Sequence, residues 1–162
     1  MPGERLDVRV LGPVLAYAGA RRVELGPRKQ RLVFAILALE VNRVVPVDRL
    51  VELAWPVEAP RTAAHAVRVC VSGLRSALAG RADAQIDTRG AGYALRADPE
   101  QVDAIRFREL LRRAAAADDD ACRVVLLDEA LALWSGPTTY GIAMSGTAPA
   151  QTQEVLCRGR RR

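Results

Sequence analysis

The sequence predicts an α+β fold in which short strands flank a block of three helices, with further helices behind. Three observations carry that expectation. Apolar residues alternate with others near the start of the chain and again around residue 90, the pattern of half-buried strands. Between those two regions the period changes to that of amphipathic helices. After residue 97 only helical spacing remains.

Each element follows from local residues. LDVRVL (6–11) and VLAYA (14–18), hinged at Gly12-Pro13, predict two strands and a turn. RRVEL (21–25) predicts a third strand, ended by Gly26-Pro27. From Arg28 to Asn42, Leu32, Ala35, Ile36 and Leu39 recur at helical spacing, which predicts a first helix over 28–42. Val44-Val45-Pro46 reads as a brief extended link. Val47-Asp48 opens a second helix with Leu50, Val51, Leu53 and Ala54 as its buried side, and Trp55-Pro56 stops it, because proline disfavours helix in the residue before it. A third helix is expected from about Thr62 to Ala79. Its Val67, Val71, Leu74 and Leu78 make one continuous inward stripe. Gly80 ends it, and 84–88 and 92–96 pair as a hairpin around Arg89-Gly90-Ala91-Gly92.

With that stripe inward, His65, Arg68, Val69, Ser72 and Arg75 fall on the outer side of the third helix. A basic helix followed at once by a hairpin with an arginine at its lip is how a winged helix-turn-helix reads DNA. A helix fits the major groove, where an arginine can take both guanine acceptors, and Arg68, mid-helix and outward, suits that role. Val69 can touch a thymine methyl. Arg75, near the helix end, suits a phosphate. Arg89 can enter the minor groove, whose negative potential attracts arginine. Arg28, Lys29 and Arg31, at the start of the first helix, are candidate phosphate contacts, although solvated charge explains them equally well.

Charge placement agrees. Residues 1–97 carry 15 Lys+Arg against 9 Asp+Glu, whereas 98–162 carry 9 against 10. The positive excess therefore lies in the N-terminal part, as expected if that part meets a polyanion. The helices lack the aromatic anchors of an interfacial membrane helix. Cys70, Cys122 and Cys157 are scattered and odd in number, which fits a reducing cytoplasm better than a disulfide scaffold. The start, MPGERLDVRVLG, has no apolar core of a secretory signal, and no run reaches the length of a membrane span. A soluble, cytoplasmic protein is expected.

Enzyme chemistry finds little support. The sole histidine, His65, lies on the outward face of the third helix, no residue cluster supplies metal ligands, and Gly90-Ala91-Gly92 lacks the strand-turn-helix setting of a phosphate loop. No enzyme activity, cofactor or metal is expected. Asp118-Asp119-Asp120 reads as a charged turn and helix cap, and Trp55 and Trp134 as packing residues at helix ends.

Beyond Asp98-Pro99, Val102, Ile105, Phe107, Leu110 and Leu111 define one helix, and Val124, Val125, Leu127, Leu131 and Leu133 the buried side of a second. One such hairpin cannot bury its own apolar face, since helical repeats need about three units for stability. Residues 138–162 show no periodicity and end in a basic tail, so disorder is expected there.

Taken together, LGP at 11–13, LGPRKQRLVFAILAL at 25–39, VVPVDRLVELAW at 44–55, PRTAAHAVRVCVSGLRSAL at 60–78 and TRGAGYAL at 88–95 resemble the SARP family of bacterial activators. The resemblance covers about residues 6–137. It implies an OmpR-type winged helix over 1–97, with a three-stranded N-terminal sheet, three helices and a C-terminal hairpin wing. A partial, all-helical transcriptional activation domain over 98–137 follows from it, with 138–162 as a tail. It further implies activation of a secondary-metabolite (antibiotic) gene cluster, through promoter direct repeats of double-stranded DNA, with RNA polymerase as a partner and a homodimer on DNA. The family's helical domain normally continues beyond Pro137, so a truncated chain is expected; the alternatives are a non-activating remnant that competes with a full-length regulator, and a helical protein-interaction module. The family often has a basic, DNA-facing residue where this chain has Gly73, and a histidine where it has Cys70, which predicts a weakened reader.

Overall fold

The computed structural model describes residues 4–136. β1 (Leu6–Arg9), β2 (Leu15–Ala18) and β3 (Arg21–Arg22) form an antiparallel sheet in the order β1-β2-β3. Three helices follow: α1 (Arg28–Leu39), α2 (Val47–Ala54) and α3 (Ala63–Leu78). A second antiparallel sheet joins β4 (Val45–Pro46), β5 (Gln85–Arg89) and β6 (Gly92–Arg96) in the order β4-β6-β5. A short 3-10 turn, Pro99–Gln101, leads to α4 (Asp103–Ala115) and α5 (Asp120–Ala132). This is the winged helix-turn-helix with a helical segment behind it.

α1 is the centre of the molecule. Every residue from Leu32 to Ala38 is buried, and Phe34, Val33 and Leu37 are wholly inaccessible. It ends at Leu39, three residues before the expected Asn42. The cause is Asn42 itself, which adopts the left-handed conformation (φ 63°) that asparagine tolerates better than most residues. Its side chain donates to the Ala97 carbonyl at 2.8 Å and accepts from the Ala97 N–H at 3.3 Å, so it staples the end of α1 to the end of β6. The expected extended link at Val45-Pro46 pairs with Gly92-Tyr93 and is the third strand of the wing sheet. Two residues are too few to show a period, and the pairing partner lies far along the chain. Gly92 is required by that pairing: a Cβ there would run into the Val45 carbonyl. β3 is shorter than the expected 21–25, and Val23 and Leu25 enter the core from a non-strand backbone.

The helical segment is anchored on the N-terminal sheet. Asp103, 1% exposed, opens α4 and accepts the backbone N–H of Val10 (2.9 and 3.0 Å to its two oxygens) and of Leu11 (3.1 Å). Val8 bridges Val102, and the Leu11 carbonyl accepts the Ser135 N–H at 2.9 Å. Asp83 accepts the Leu6 N–H at 2.9 Å and a Gln101 side-chain N–H at 2.8 Å. Val102, Ala104 and Phe107 thereby join the same core as Leu6 and Val8.

α4 and α5 pack as a hairpin around a turn in which Asp119 caps α5 by accepting the Cys122 N–H at 2.8 Å. Phe107 packs against Trp134, with ring centroids 6.4 Å apart. The side of α5 that is buried differs from expectation. Leu126 and Ala130 face the core, whereas Val124, Val125 and Leu131 are 56%, 56% and 53% exposed and Leu127 and Leu133 are half-buried. Apolar residues surround α5 on nearly all sides, so spacing alone did not select the packed one. The expected tail, 138–162, lies outside the described residues.

Candidate nucleic-acid interface

α3 is fixed from below by the expected stripe. Val67, Val71, Leu74 and Leu78 are buried, joined by Ala63 and Cys70. The opposite side is open: His65, Arg68, Val69, Ser72 and Arg75 are all exposed, as the helical period required. Ser76 completes the outward row His65-Val69-Ser72-Ser76, and its hydroxyl donates to the Ser72 carbonyl at 3.2 Å. Ser76, and Arg61 ahead of the helix, are exposed polar groups of this face that the spacing argument had passed over. From residue 59 to 80 the sequence has three arginines, Arg61, Arg68 and Arg75, and no carboxylate. The face is therefore positive along its length, with nothing on the helix itself to neutralise it.

Arg75 stands on the flank of α3 that meets the wing. Its Nε–H donates to the Ile86 carbonyl at 2.8 Å, and an Nη2–H donates to the Thr88 hydroxyl at 2.8 Å. Its guanidinium carbon lies 5.8 Å from the centre of the Tyr93 ring. Arg68, seven residues earlier, projects from nearly the same flank two turns along. Arg89 sits at the wing tip, 62% exposed, in a loose 3.4 Å pair with Asp87. Gly90 takes the left-handed conformation (φ 54°) that closes this two-residue turn. Arg75 thus ties α3 to the strand that ends in Arg89, and Arg68 lies on the same flank of the helix.

The three residues at the start of α1 are placed differently. Lys29 Nζ donates to the Ala54 carbonyl and lies 4.7 Å above the Trp55 ring, so its charge caps the C-terminal end of α2. Arg28 is exposed and Arg31 half-buried. Gly73 corrects an expectation. It is on the α1 side of α3, where an added Cβ would come within 2.5 Å of the Gln30 side-chain oxygen, so a residue there does not start from the open face of the helix. Cys70 is buried, and that burial pushes its thiol above the usual range despite a backbone hydrogen bond and nearby Lys29, which leaves it a poor nucleophile. Among the described residues no group of His, Cys, Asp and Glu is arranged to hold a metal ion, and no helix is long and apolar enough to cross a membrane.

Residues 20–95 match the family described as transcriptional regulatory protein, C terminal. The chain is similar to the transcriptional regulatory protein MoaR1 of Mycobacterium tuberculosis, 36% identical over 142 residues that cover 82% of this chain and 45% of that protein. It is also similar to the regulatory protein DnrI of Streptomyces peucetius, 28% identical over 142 residues covering 81% and 52% of the two chains. Among solved structures, Mycobacterium tuberculosis EmbR in complex with a low affinity phosphopeptide superposes with a TM-score of 0.71 at 31% identity, over 83% of this chain and 37% of that one. The chain spans about half the length of the curated relatives it matches.

Proposed function

We propose that the chain, whose residues 20–95 match the family described as transcriptional regulatory protein, C terminal, and which resembles the SARP regulators, binds promoter DNA sequence-specifically, with α3 in the major groove and the β5–β6 wing in the adjacent minor groove. The observation that carries this reading is the open, carboxylate-free face of α3 beside an arginine-tipped hairpin. Arg68 reads base edges, Val69 and Ser72 contact the groove floor, and Arg89 enters the minor groove. His65 adds a polar contact at the helix's leading turns. Arg75 holds the wing at a fixed angle to α3 through Ile86 and Thr88, and its remaining N–H donors face the phosphates. Arg28 and Arg31 add phosphate contacts at the start of α1, while Lys29 contributes more to α2 than to DNA.

Residues 1–97 act as the DNA-binding unit and 98–137 as the start of an activation domain. The resemblance extends the proposal to direct repeats occupied by two copies, contact with RNA polymerase, and activation of an antibiotic or other secondary-metabolite gene cluster in the cytoplasm, with no enzymatic role. A second reading, a helical protein-interaction module, is favoured by one feature: the exposed Val124, Val125 and Leu131 on α5.

Gel-shift titration against the upstream regions of neighbouring genes tests the reading. Wild type is expected to select particular fragments, and Arg68→Ala to lose about 1–3 kcal/mol on those while keeping its non-specific affinity. Equal binding of every fragment by both proteins sinks base readout by α3. A reporter assay on the selected promoters then separates an activator from a competitor, which would lower transcription.

A further inference from the structure

Away from α3's open face, β3 and the turn that ends α3 enclose a cleft of about 200 Å³ lined by Ala18, Arg21, Arg22, Val23 and Arg81. Three of its five lining residues are arginines and none is acidic. Arg81 is placed there by Gly80, whose left-handed backbone (φ 66°) breaks the helix and swings the chain back towards the N-terminal sheet, where Ala82 bridges Glu4. Its side chain has no hydrogen bond or ion pair among the described residues. Arg21 and Arg22 hold only loose, exposed partners, Glu4 at 3.4 Å and Glu24 at 3.8 Å, and such pairs are weak in water. The nearest carboxylate in the chain after Arg81, that of Asp83, is already committed to Leu6 and Gln101. The cleft therefore gathers three guanidinium groups whose counter-ions, Glu4 and Glu24, are loose and exposed.

We propose that this cleft binds a phosphoryl anion, either free inorganic phosphate or diphosphate or the phosphate end of a small ester. Guanidinium groups meet phosphate oxygens through paired N–H donors, and several around one anion give both strength and geometry. The volume admits one or two phosphate groups. Ala18 and Val23, both buried, form the apolar floor of the cleft. The site shares no residue with the proposed DNA face, so it stands whether or not α3 reads DNA.

The test is an NMR titration of the full chain, following the arginine Nε–H signals at constant ionic strength. Orthophosphate, pyrophosphate and glycerol 3-phosphate are the probes. Arg21, Arg22 and Arg81 are expected to shift together along one saturating curve, tightest for pyrophosphate if the site takes a free anion and for the ester if it takes a metabolite end. Arg81→Ala, in an exposed turn, is expected to weaken that curve by about tenfold, a single lost charge-assisted contact, with α3 amide signals unmoved. Non-saturating shifts, an unchanged curve in Arg81→Ala, or equal shifts at Arg68 and Arg89 overturn the site. In a second arm, duplex DNA is added: phosphate binding is expected to persist. If the duplex moves the same three arginine signals and displaces pyrophosphate, the cleft is a DNA backbone contact and the separate site is wrong.

Discussion

Two regions of this molecule are built from charged side chains, and they use charge in opposite ways. At the junction of the N-terminal sheet and α4, Asp103 is sealed from solvent and meets backbone N–H groups from two residues. On the open face of α3, arginines project into water and most of their donors meet no protein group. A buried charge is costly unless its bonds are made internally, so the fold must supply every partner and the group becomes structure. An exposed guanidinium loses little by waiting in water and stays available to an external anion. Arg75 lies between these cases: part of its donor set is spent on Ile86 and Thr88, and the rest faces outward. Burial, more than residue type, separates the charges that hold this fold from those left open to an external anion.

The sharpest way to break that contrast is at Asp103. Asp103→Ala leaves the Val10 and Leu11 N–H groups buried without acceptors, which is expected to cost about 3 kcal/mol of unfolding free energy. Urea denaturation measures it, and a loss below that of an ordinary surface substitution would show the clamp to be dispensable. The same carboxyl predicts a pH dependence. Burial raises it above its usual range, although the Val10 and Leu11 N–H groups pull the other way. Folding then takes up a proton between the ordinary and the raised value, so the contribution is whole below the ordinary value and is lost as pH rises through the raised one. Against Asp103→Asn as the non-titrating reference, wild type is expected to weaken across that window. A difference that stays flat or runs the other way contradicts the sign.

Arg75→Lys tests the intermediate case. Lysine keeps the charge but cannot reach Ile86 and Thr88 with a planar fork. The expected result is a loss of wing protection in hydroxyl-radical footprints, with protection by α3 retained and affinity lower by about 1 kcal/mol, the worth of one hydrogen bond. Thr88→Val, which removes only the hydroxyl partner, should show the same footprint change more weakly. Should Arg75→Lys footprint like wild type, Arg75 is a phosphate contact and nothing more.

Much of this was legible in the sequence where one period dominates. The stripe Val67-Val71-Leu74-Leu78 placed all five outward residues of α3 correctly, because a helix with one apolar side has one orientation. α5 failed the same reasoning: with Val124, Val125, Leu126 and Leu127 in a row, the spacing fits more than one buried side, and packing on α4 chose Leu126 and Ala130. The partners of Arg75, Lys29 and Asp103 come from residues 11, 25 and 93 positions away, respectively, a range at which no local pattern speaks. The arginine cleft joins β3 to the end of α3 and was invisible for the same reason.

Gly73 carries the smallest expected effect and bears directly on whether α3 is a weakened reader. Alanine in a helix is favoured over glycine by about 0.5–1 kcal/mol. Here the added methyl meets the amide of Gln30, the far end of a flexible side chain, which has to shift to admit it. The gain in helix propensity and the cost of moving Gln30 should nearly cancel, leaving Gly73→Ala within about 0.5 kcal/mol of wild type. Removing the obstacle should release the gain: in a Gln30→Ala background, Gly73→Ala is expected to stabilise by about 0.5–1 kcal/mol, a coupling that a double-mutant cycle reads directly. Additive changes would mean that the two residues do not meet. Gly73→Arg extends the argument to DNA, since its side chain would leave α3 from the α1 side. The salt dependence of binding should then keep the wild-type slope, whereas a slope steeper by about one phosphate contact would put position 73 back on the reading face.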